Sequence, residues 1–299
     1  MWFRNLRIYR LSSGLKMSQS QFNDILAKHP LTRCGSLDMN SRGWVFPKEA
    51  GFVHAINGQW LVALGVEQKL LPATVIRQVT QERVVQIEAE QNRKVGRKEV
   101  RDLRDQVAQE LLPKAFTRRR TTWAWIDPVH GWLAIDAGSD AKADEFLDVL
   151  GKSVGDIQLR QLQSEVSPSA VMTGWLAEGE APARFSIDDD LELRSAASGQ
   201  SAIRYVRHGL EGKEIGQHIA DGKIVTKLGV TWNDRVSFVL TDKLQVKRLA
   251  FLDILKDEAE QSAAEADEQF DIDFALMAGE LNLMLDDLLL ALGGELKQV

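Results

Sequence analysis

The sequence predicts an α+β fold: an antiparallel sheet and hairpin core, a projecting helical hairpin at the tip and a helical base. Three observations carry this. Short extended stretches bounded by turn residues recur along the chain. The segment 73–112 contains no aromatic residue and reads as helix throughout. An amphipathic stretch, 274–292, closes the chain. Strands and helices in irregular order indicate α+β architecture.

Taken in order, Trp2 to Leu11 alternates well enough for a strand. Ser18 to Lys28 places Phe22, Ile25 and Leu26 at helical spacing, with Ser18 as N-cap. Gly43 to Pro47 is a short extended piece. Val53 to Leu64 reads as a hairpin turning at Asn57-Gly58. Pro72 then suits a helix start and Pro113 a stop. Val75, Ile76, Val79 and Ile87 form one apolar stripe, and Val100, Leu103, Val107 and Leu111 a second. Two helices of roughly twenty residues, each about 30 Å long, fold back around Asn92 to Gly96. A single narrow stripe per helix cannot fill a core, so this pair should project or pack on a partner.

Sheet is expected again from Thr121. Trp123 to Asp127 and Trp132 to Asp136 flank a turn at Pro128 to Gly131, and Ala141 to Leu150 follows as helix. Residues 153–200 read as mixed and loop-rich. Lys223 to Val230 and Arg235 to Leu240 flank a turn at Asn233-Asp234. Ile56 to Val66 faintly echoes Ala220 to Val230: both run from an Asx-Gly pair to Leu-Gly-Val. Duplication and chance hairpin chemistry account for that equally well. Phe274 to Leu292 is the last helix, capped by Gly293-Gly294.

Composition narrows the function classes. The chain has 299 residues, enough for two domains or one elaborate domain with an appendage. At 44% hydrophobic it is not wholesale disordered. One cysteine, Cys34, excludes an intramolecular disulfide and a zinc site built on two or four cysteines. The opening residues carry charge where a signal peptide needs an apolar core. The most apolar stretch, 274–292, contains Glu280, Asp286 and Asp287, against a membrane span. The expectation is a soluble protein of a reducing cytoplasm. Eight tryptophans read as core residues, with base stacking on single strands as the alternative.

The formal net charge is −6, which at first sight argues against a polyanionic partner. The charge is segregated, however. Ile76 to Arg120 carries a net +5, and Ala250 to Val299 a net −11. Arg97, Arg101 and Arg104 recur on one helix face, Lys94 and Lys98 extend it, and Arg118-Arg119-Arg120 follows the helix end. Arg204, Arg207 and His208 form a smaller basic group. The plainer alternative is a solvated face held by ion pairs such as Arg101 with Asp105. The sharper one is a surface that tracks phosphates.

No catalytic constellation is legible. Phosphate-binding glycine loops are absent from the sequence, and His29, His54, His130, His208 and His218 show no metal-ligand spacing. Asp188-Asp189-Asp190 and Asp271-Ile272-Asp273 could hold magnesium as in a nuclease. An acidic loop, and acids in the first turn of the last helix, are the stronger readings. Cys34 reads as a buried structural thiol rather than a nucleophile.

Several blocks occur together: Trp2-Phe3-Arg4-Asn5-Leu6 with Tyr9-Arg10-Leu11; Cys34-Gly35-Ser36 with Asp38-Met39 and Gly43-Trp44-Val45; Leu70-Leu71-Pro72 with Val75-Ile76; and Glu88-Ala89-Glu90-Gln91. Leu111-Leu112-Pro113-Lys114-Ala115-Phe116, Gly222 to Leu228 and Met277 to Leu281 complete the set. In this order, from residue 2 to about 294, they resemble the RdgC family of bacterial recombination-associated proteins. The resemblance implies a non-enzymatic protein without cofactor or metal. Such a protein binds DNA without sequence preference as a ring-shaped homodimer, with duplex DNA as ligand and single-stranded DNA as the alternative left open. It restrains the RecA recombinase by occupying DNA, and so is expected in the cytoplasm at the nucleoid.

The ring of such proteins closes at a helical tip and at a base. By resemblance Phe116 sits at the tip contact, while Arg93, Lys94, Arg97, Lys98, Arg118 and Arg204 line the channel. Arg101 joins them on its helix face, and Arg207 with His208 falls at a basic and polar pair. The expected division is a central sheet domain from 1–72, 121–160 and roughly 201–250, a tip from 73–120, and a base from roughly 161–200 plus 251–299. The alternatives are a protein-interaction module built on the helical hairpin and a metal-dependent nuclease built on the acidic clusters.

Overall fold

A computed structural model describes the chain except for residues 12–14, 156, 183, 197–200, 211–212, 263–265 and 297–299. The strands are β1 (Arg7–Leu11), β2 (Asn40–Val45), β3 (Val53–Ile56), β4 (Gln59–Lys69), β5 (Thr117–Asp127), β6 (Trp132–Ile135), β7 (Leu159–Gln161), β8 (Phe185–Ser195), β9 (Ala202–Tyr205), β10 (Lys223–Trp232), β11 (Val236–Thr241) and β12 (Val246–Phe251). The helices are α1 (Gln19–Leu26), α2 (Ala73–Gln91), α3 (Arg97–Leu111), α4 (Asp140–Val154), α5 (Pro168–Glu178), α6 (Lys213–Ala220), α7 (Asp253–Ser262) and α8 (Ala266–Ala291). The architecture is α+β, with two antiparallel sheets.

The first sheet runs β2-β4-β5-β6-β1-β7, with β3 also paired to β4. Both of its faces are covered. Trp60, Val62 and Leu64 of β4 pack with Phe22 and Leu26 of α1 and Phe146 and Leu150 of α4. On the opposite face Leu61, Trp125 and Trp132 pack with α8. A strand covered on both sides loses the apolar-polar alternation, which is why β4 reads as an unbroken run from Trp60 to Leu64. The hairpin turn at Asn57-Gly58 uses φ values of 51° and 79°, which an Asn-Gly pair tolerates.

The second sheet runs β12-β11-β10-β8-β9. One face is apolar, with Leu193, Val225, Leu228, Val230, Phe238 and Leu240 packed against α5 and α8. Main-chain bonds join the two sheets: Leu6 N–H donates to Val246 O at 2.8 Å, and Val246 N–H returns to Leu6 O at 3.2 Å.

Helix α8 lies between the sheets, in one apolar cluster with side chains from both. Phe274, Met277, Leu281, Met284, Leu285 and Leu288 are fully buried. Three of its polar side chains meet partners on a sheet or in a turn beside one. Glu280 accepts from Arg235 at 3.0 Å, Asp287 from the Trp232 indole at 2.8 Å, and Asn282 donates to Asp127 at 3.3 Å. The helix ends at Gly293 and Gly294, with φ of 81° and 105°. Among the described residues no helix is long and apolar enough to cross a membrane.

The indoles are core residues. Trp44, Trp125, Trp132 and Trp232 are fully buried, and the other four are buried or half-buried. Each buried indole removes roughly 150–250 Å² from water, on the order of 4–6 kcal/mol before conformational entropy is subtracted.

Several expectations are corrected. Residues 153–200 are not mainly loop: they hold α5 and the long strand β8. Asp188-Asp189-Asp190 therefore lies on a strand, hydrogen-bonded to β10, rather than in an acidic loop. Helix α8 begins eight residues before Phe274, which places Asp271 and Asp273 beyond its first turn. Asp271 meets Lys48 at 2.8 Å and His54 at 3.0 Å, and Asp273 holds the amino group of Met1. Strand β5 starts at Thr117 rather than Thr121, so the three arginines are strand residues. The Asx-Gly echo also diverges: Asn57-Gly58 joins two strands, whereas Asp221-Gly222 joins α6 to β10.

Candidate nucleic-acid interface

Helices α2 and α3 form where the sequence placed them. Gly96 is the N-cap of α3, and Asn92, at φ 48°, ends α2 in the left-handed region. They share a thin apolar seam. Val107 is fully buried and Val84 nearly so, while Val100, Leu103 and Leu111 are half-buried. Val75, assigned to the α2 stripe from sequence, is exposed, and Val84 takes the inward position. A two-pronged Arg83–Glu110 ion pair ties the helices together.

The connection neutralises its own cations. Glu88 accepts the Val95 N–H and the Lys94 ammonium, both at 3.0 Å, which hold its carboxyl below the usual range. Arg93 grips Glu99 through two bonds of 2.7 and 2.8 Å and lowers that carboxyl likewise. Arg97, Lys98, Arg101 and Arg104 differ. All four are exposed, and none makes an ion pair among the described residues. The Arg101–Asp105 pair expected for a self-neutralised helix face does not form.

Strand β5 splits its three arginines by alternation. Arg119 faces its register partner Glu67 on β4 at 2.6 Å. The Cys34 N–H on the same carboxylate, at 2.9 Å, and then the Arg119 bond depress the Glu67 carboxyl. Arg120 points to the other face, where it shares Glu145 of α4 with Arg42. Arg118, on that face, is exposed and has no ion pair among the described residues. Cys34 is half-buried rather than buried, with its Sγ donating to Glu67 O at 3.1 Å. Just before β5, the Phe116 ring is 84% exposed although its carbonyl accepts the Leu70 N–H at 2.7 Å. The backbone is anchored, and the ring stands free.

The remaining candidates lie on β9 of the second sheet, Arg204, and in the segment just after it, Arg207 and His208. Glu192 of β8 is 3% exposed. Arg204 on β9 and Lys227 on β10 are its two register partners, at 2.6 and 2.8 Å, and Arg194 adds a bond of 3.0 Å. Burial alone would raise the Glu192 carboxyl; the bonds from Lys227, Arg204 and Arg194 outweigh it and hold the group at about 2. Arg207 is exposed at φ 51°. His208 donates its N–H to Asp189 O at 3.3 Å and sets its ring 5.5 Å from Tyr205.

So Arg204 is brought together with Arg194 and Lys227, neither of which was chosen from the sequence. The signal that could have found them is a charged residue on the outward beat of a half-buried strand. No hydrogen bond or ion pair among the described residues joins the α3 cations to the β9 group. The acidic run is engaged internally. Asp188 bonds Thr231 at 2.9 Å, with its carboxyl raised chiefly by burial, and Asp190 holds Arg248 at 3.0 Å. Among the described residues no three His, Cys, Asp or Glu side chains are grouped to hold a metal ion.

Fold and charge together define a class: an α+β protein that presents unpaired cations from a thinly cored helix pair and a strand, on a chain that is acidic overall. Comparison with known proteins narrows it. The family model described as "Putative exonuclease, RdgC" matches residues 1–295. A recombination-associated protein RdgC of Dechloromonas aromatica is 50% identical over 299 residues, covering 99% of this chain and 98% of its own length. Its namesake in Herminiimonas arsenicoxydans is 50% identical over 296 residues, covering 99% of each chain. That of a Janthinobacterium species is 48% identical over 299 residues, covering 100% of each. This chain belongs to the RdgC family.

Proposed function

We propose that the protein binds DNA through its phosphates, without sequence preference, as a dimer closed around duplex DNA. By occupying that DNA it restrains RecA-mediated recombination, and it does so without a catalytic step. The observation that carries this reading is the row Arg97, Lys98, Arg101 and Arg104: exposed cations on one helix, left without the acidic partners that neutralise Arg93, Lys94 and Arg83 nearby. Unpaired guanidinium and ammonium groups gain most from releasing counterions on a polyanion. The names of the relatives, which place them in recombination, agree with this.

In this reading α2 and α3 form the tip, with Phe116 as the anchor that closes the ring on a second copy. The protein should stay on covalently closed circular duplex through a salt wash that strips it from linear duplex. Equal loss from both would remove encirclement and leave binding along one surface. The family description also names an exonuclease. Incubating linear duplex with the protein and magnesium tests that second reading, and nucleotide release that disappears on replacing Asp188 or Asp190 would establish it.

A further inference from the structure

A cleft of about 280 Å³ opens where the two sheets meet, on the polar face of the second. Arg204, Lys227, Lys247 and Arg248 stand in its walls with Asn5, Tyr205 and the carboxylates of Asp190 and Glu192. Most of these cations are spoken for: Arg204 and Lys227 bond Glu192, and Arg248 bonds Asp190. Lys247 is half-buried on β12 and makes no ion pair among the described residues. Burial, then the positive charges of Arg7 and Lys227, hold its ammonium below the usual lysine range despite Asp140 and Glu192. Arg7 is 4% exposed. Its Nε and Nη1 donate no hydrogen bond, although Nη1 lies 3.2 Å from the exposed carboxylate of Asp140.

A half-buried ammonium near two other cations, one of them a buried guanidinium with donors that make no hydrogen bond, has no ion-pair partner of its own among the described residues, and Asp140 and Glu192 act on it only from beyond ion-pair distance. Burying charge in that state is costly unless a ligand completes it. A tetrahedral anion with several acceptor oxygens meets the need, because Lys and Arg bind phosphate through charge-assisted bonds. We propose that this cleft seats one phosphate group, with Lys247 as its main charge partner and Arg248 at the rim. The inference rests on the DNA-binding reading, in which that group is a backbone phosphodiester. It adds a discrete phosphate seat on the second sheet, apart from the open row on α3. The aromatic wall at Tyr205 and the amide of Asn5 would hold the neighbouring sugar and the remaining oxygens.

The test uses the full chain, its Lys247→Gln variant, and Arg248→Gln as a second variant should the half-buried lysine be required for folding. Inorganic phosphate, against chloride at matched ionic strength, should raise the melting temperature of the wild type but not of Lys247→Gln. Duplex affinity is then followed against salt on closed circles and on linear DNA. Losing one phosphate contact lowers the salt slope by about 0.9. The variant should therefore lose about 3.5-fold less affinity than wild type over a fourfold rise in salt, equally on circles and ends. An unchanged slope and an unchanged phosphate response, while charge reversal at Arg97, Lys98 and Arg101 still weakens DNA binding, would overturn the cleft and leave the DNA reading standing. A response confined to linear DNA with terminal phosphates would overturn the backbone diester. If the wild type binds no DNA while phosphate still stabilises it through Lys247, the cleft is upheld as a seat for free phosphate and the DNA reading falls.

Discussion

Replacing Glu192 by glutamine removes the charge that Arg194, Arg204 and Lys227 share, with little change in shape. The folded carboxyl sits at about 2, against about 4.3 for a free glutamate. That difference corresponds to about 3 kcal/mol of folding stability at neutral pH. Two of its partners are substantially exposed, Arg204 at 63% and Arg194 at 43%, so solvent screening reduces the figure to about 1–2 kcal/mol. The sign follows from the depressed value. Above the unfolded pKa the ionised carboxylate contributes fully. As pH falls towards 2 the folded group takes up its proton and the contribution is lost. Glu192→Gln lacks this dependence. Urea unfolding of both proteins at pH 7, 5, 4 and 3 should show the variant weaker by a constant amount at pH 7 and 5, with the gap narrowing below pH 4.5. A gap under about 0.5 kcal/mol at pH 7, or one that stays constant down to pH 3, would refute the view that this carboxylate organises the polar face.

Two further outcomes are expected. The combined Arg97→Glu, Lys98→Glu, Arg101→Glu variant should bind every duplex sequence more weakly, with a salt slope shallower by up to about 2.7 if each residue meets one phosphate; fluorescence anisotropy across a salt series reads this, and unchanged affinity would make the row a solvated helix face. Phe116→Ala should weaken the proposed dimer by about 2–4 kcal/mol, the range of an aromatic anchor, while leaving unfolding of the single chain nearly unchanged because the ring is 84% exposed; sedimentation over a dilution series reads this, and unaltered self-association would remove Phe116 from the proposed interface.

The parts of the fold legible in the sequence are those fixed by chemistry within a few residues. Ser18 caps α1 in a capping box with Gln21. Asn57-Gly58 and Asn233-Asp234 adopt the positive φ values that a tight hairpin needs. Gly96 starts α3 and Gly293 ends the last helix. Strand β8 was hidden because its alternation is interrupted: its register with β10 shifts between Val225 and Lys227 and again between Leu228 and Val230. A bulge moves later side chains to the other face, so the acidic run before Leu191 looked like loop. Helix α8 was placed too late because its first residues are acidic, and their partners, Met1, Lys48 and His54, lie far away in the chain.

The candidate interface divides in the same way. The helical spacing of Arg97, Arg101 and Arg104 was visible, since a single helix decides which residues share its face. Whether those charges were free was not, because the acid that neutralises a cation can come from anywhere in the fold. The sequence by itself determined the order of elements through α4, the β10–β11 hairpin and the last helix, the family, and the segregation of positive charge into one segment and negative charge into another. Tertiary structure alone decided that Arg93 and Lys94 are spent on Glu99 and Glu88 while Arg97 is not. It also gathered cations from three strands onto Glu192, and left Lys247 half-buried near Arg7 and Lys227 without an ion pair of its own among the described residues. The reason is physical: spacing along a chain fixes direction on a helix or strand, but charge pairing depends on distance in space, and that exists only once the sheets are packed.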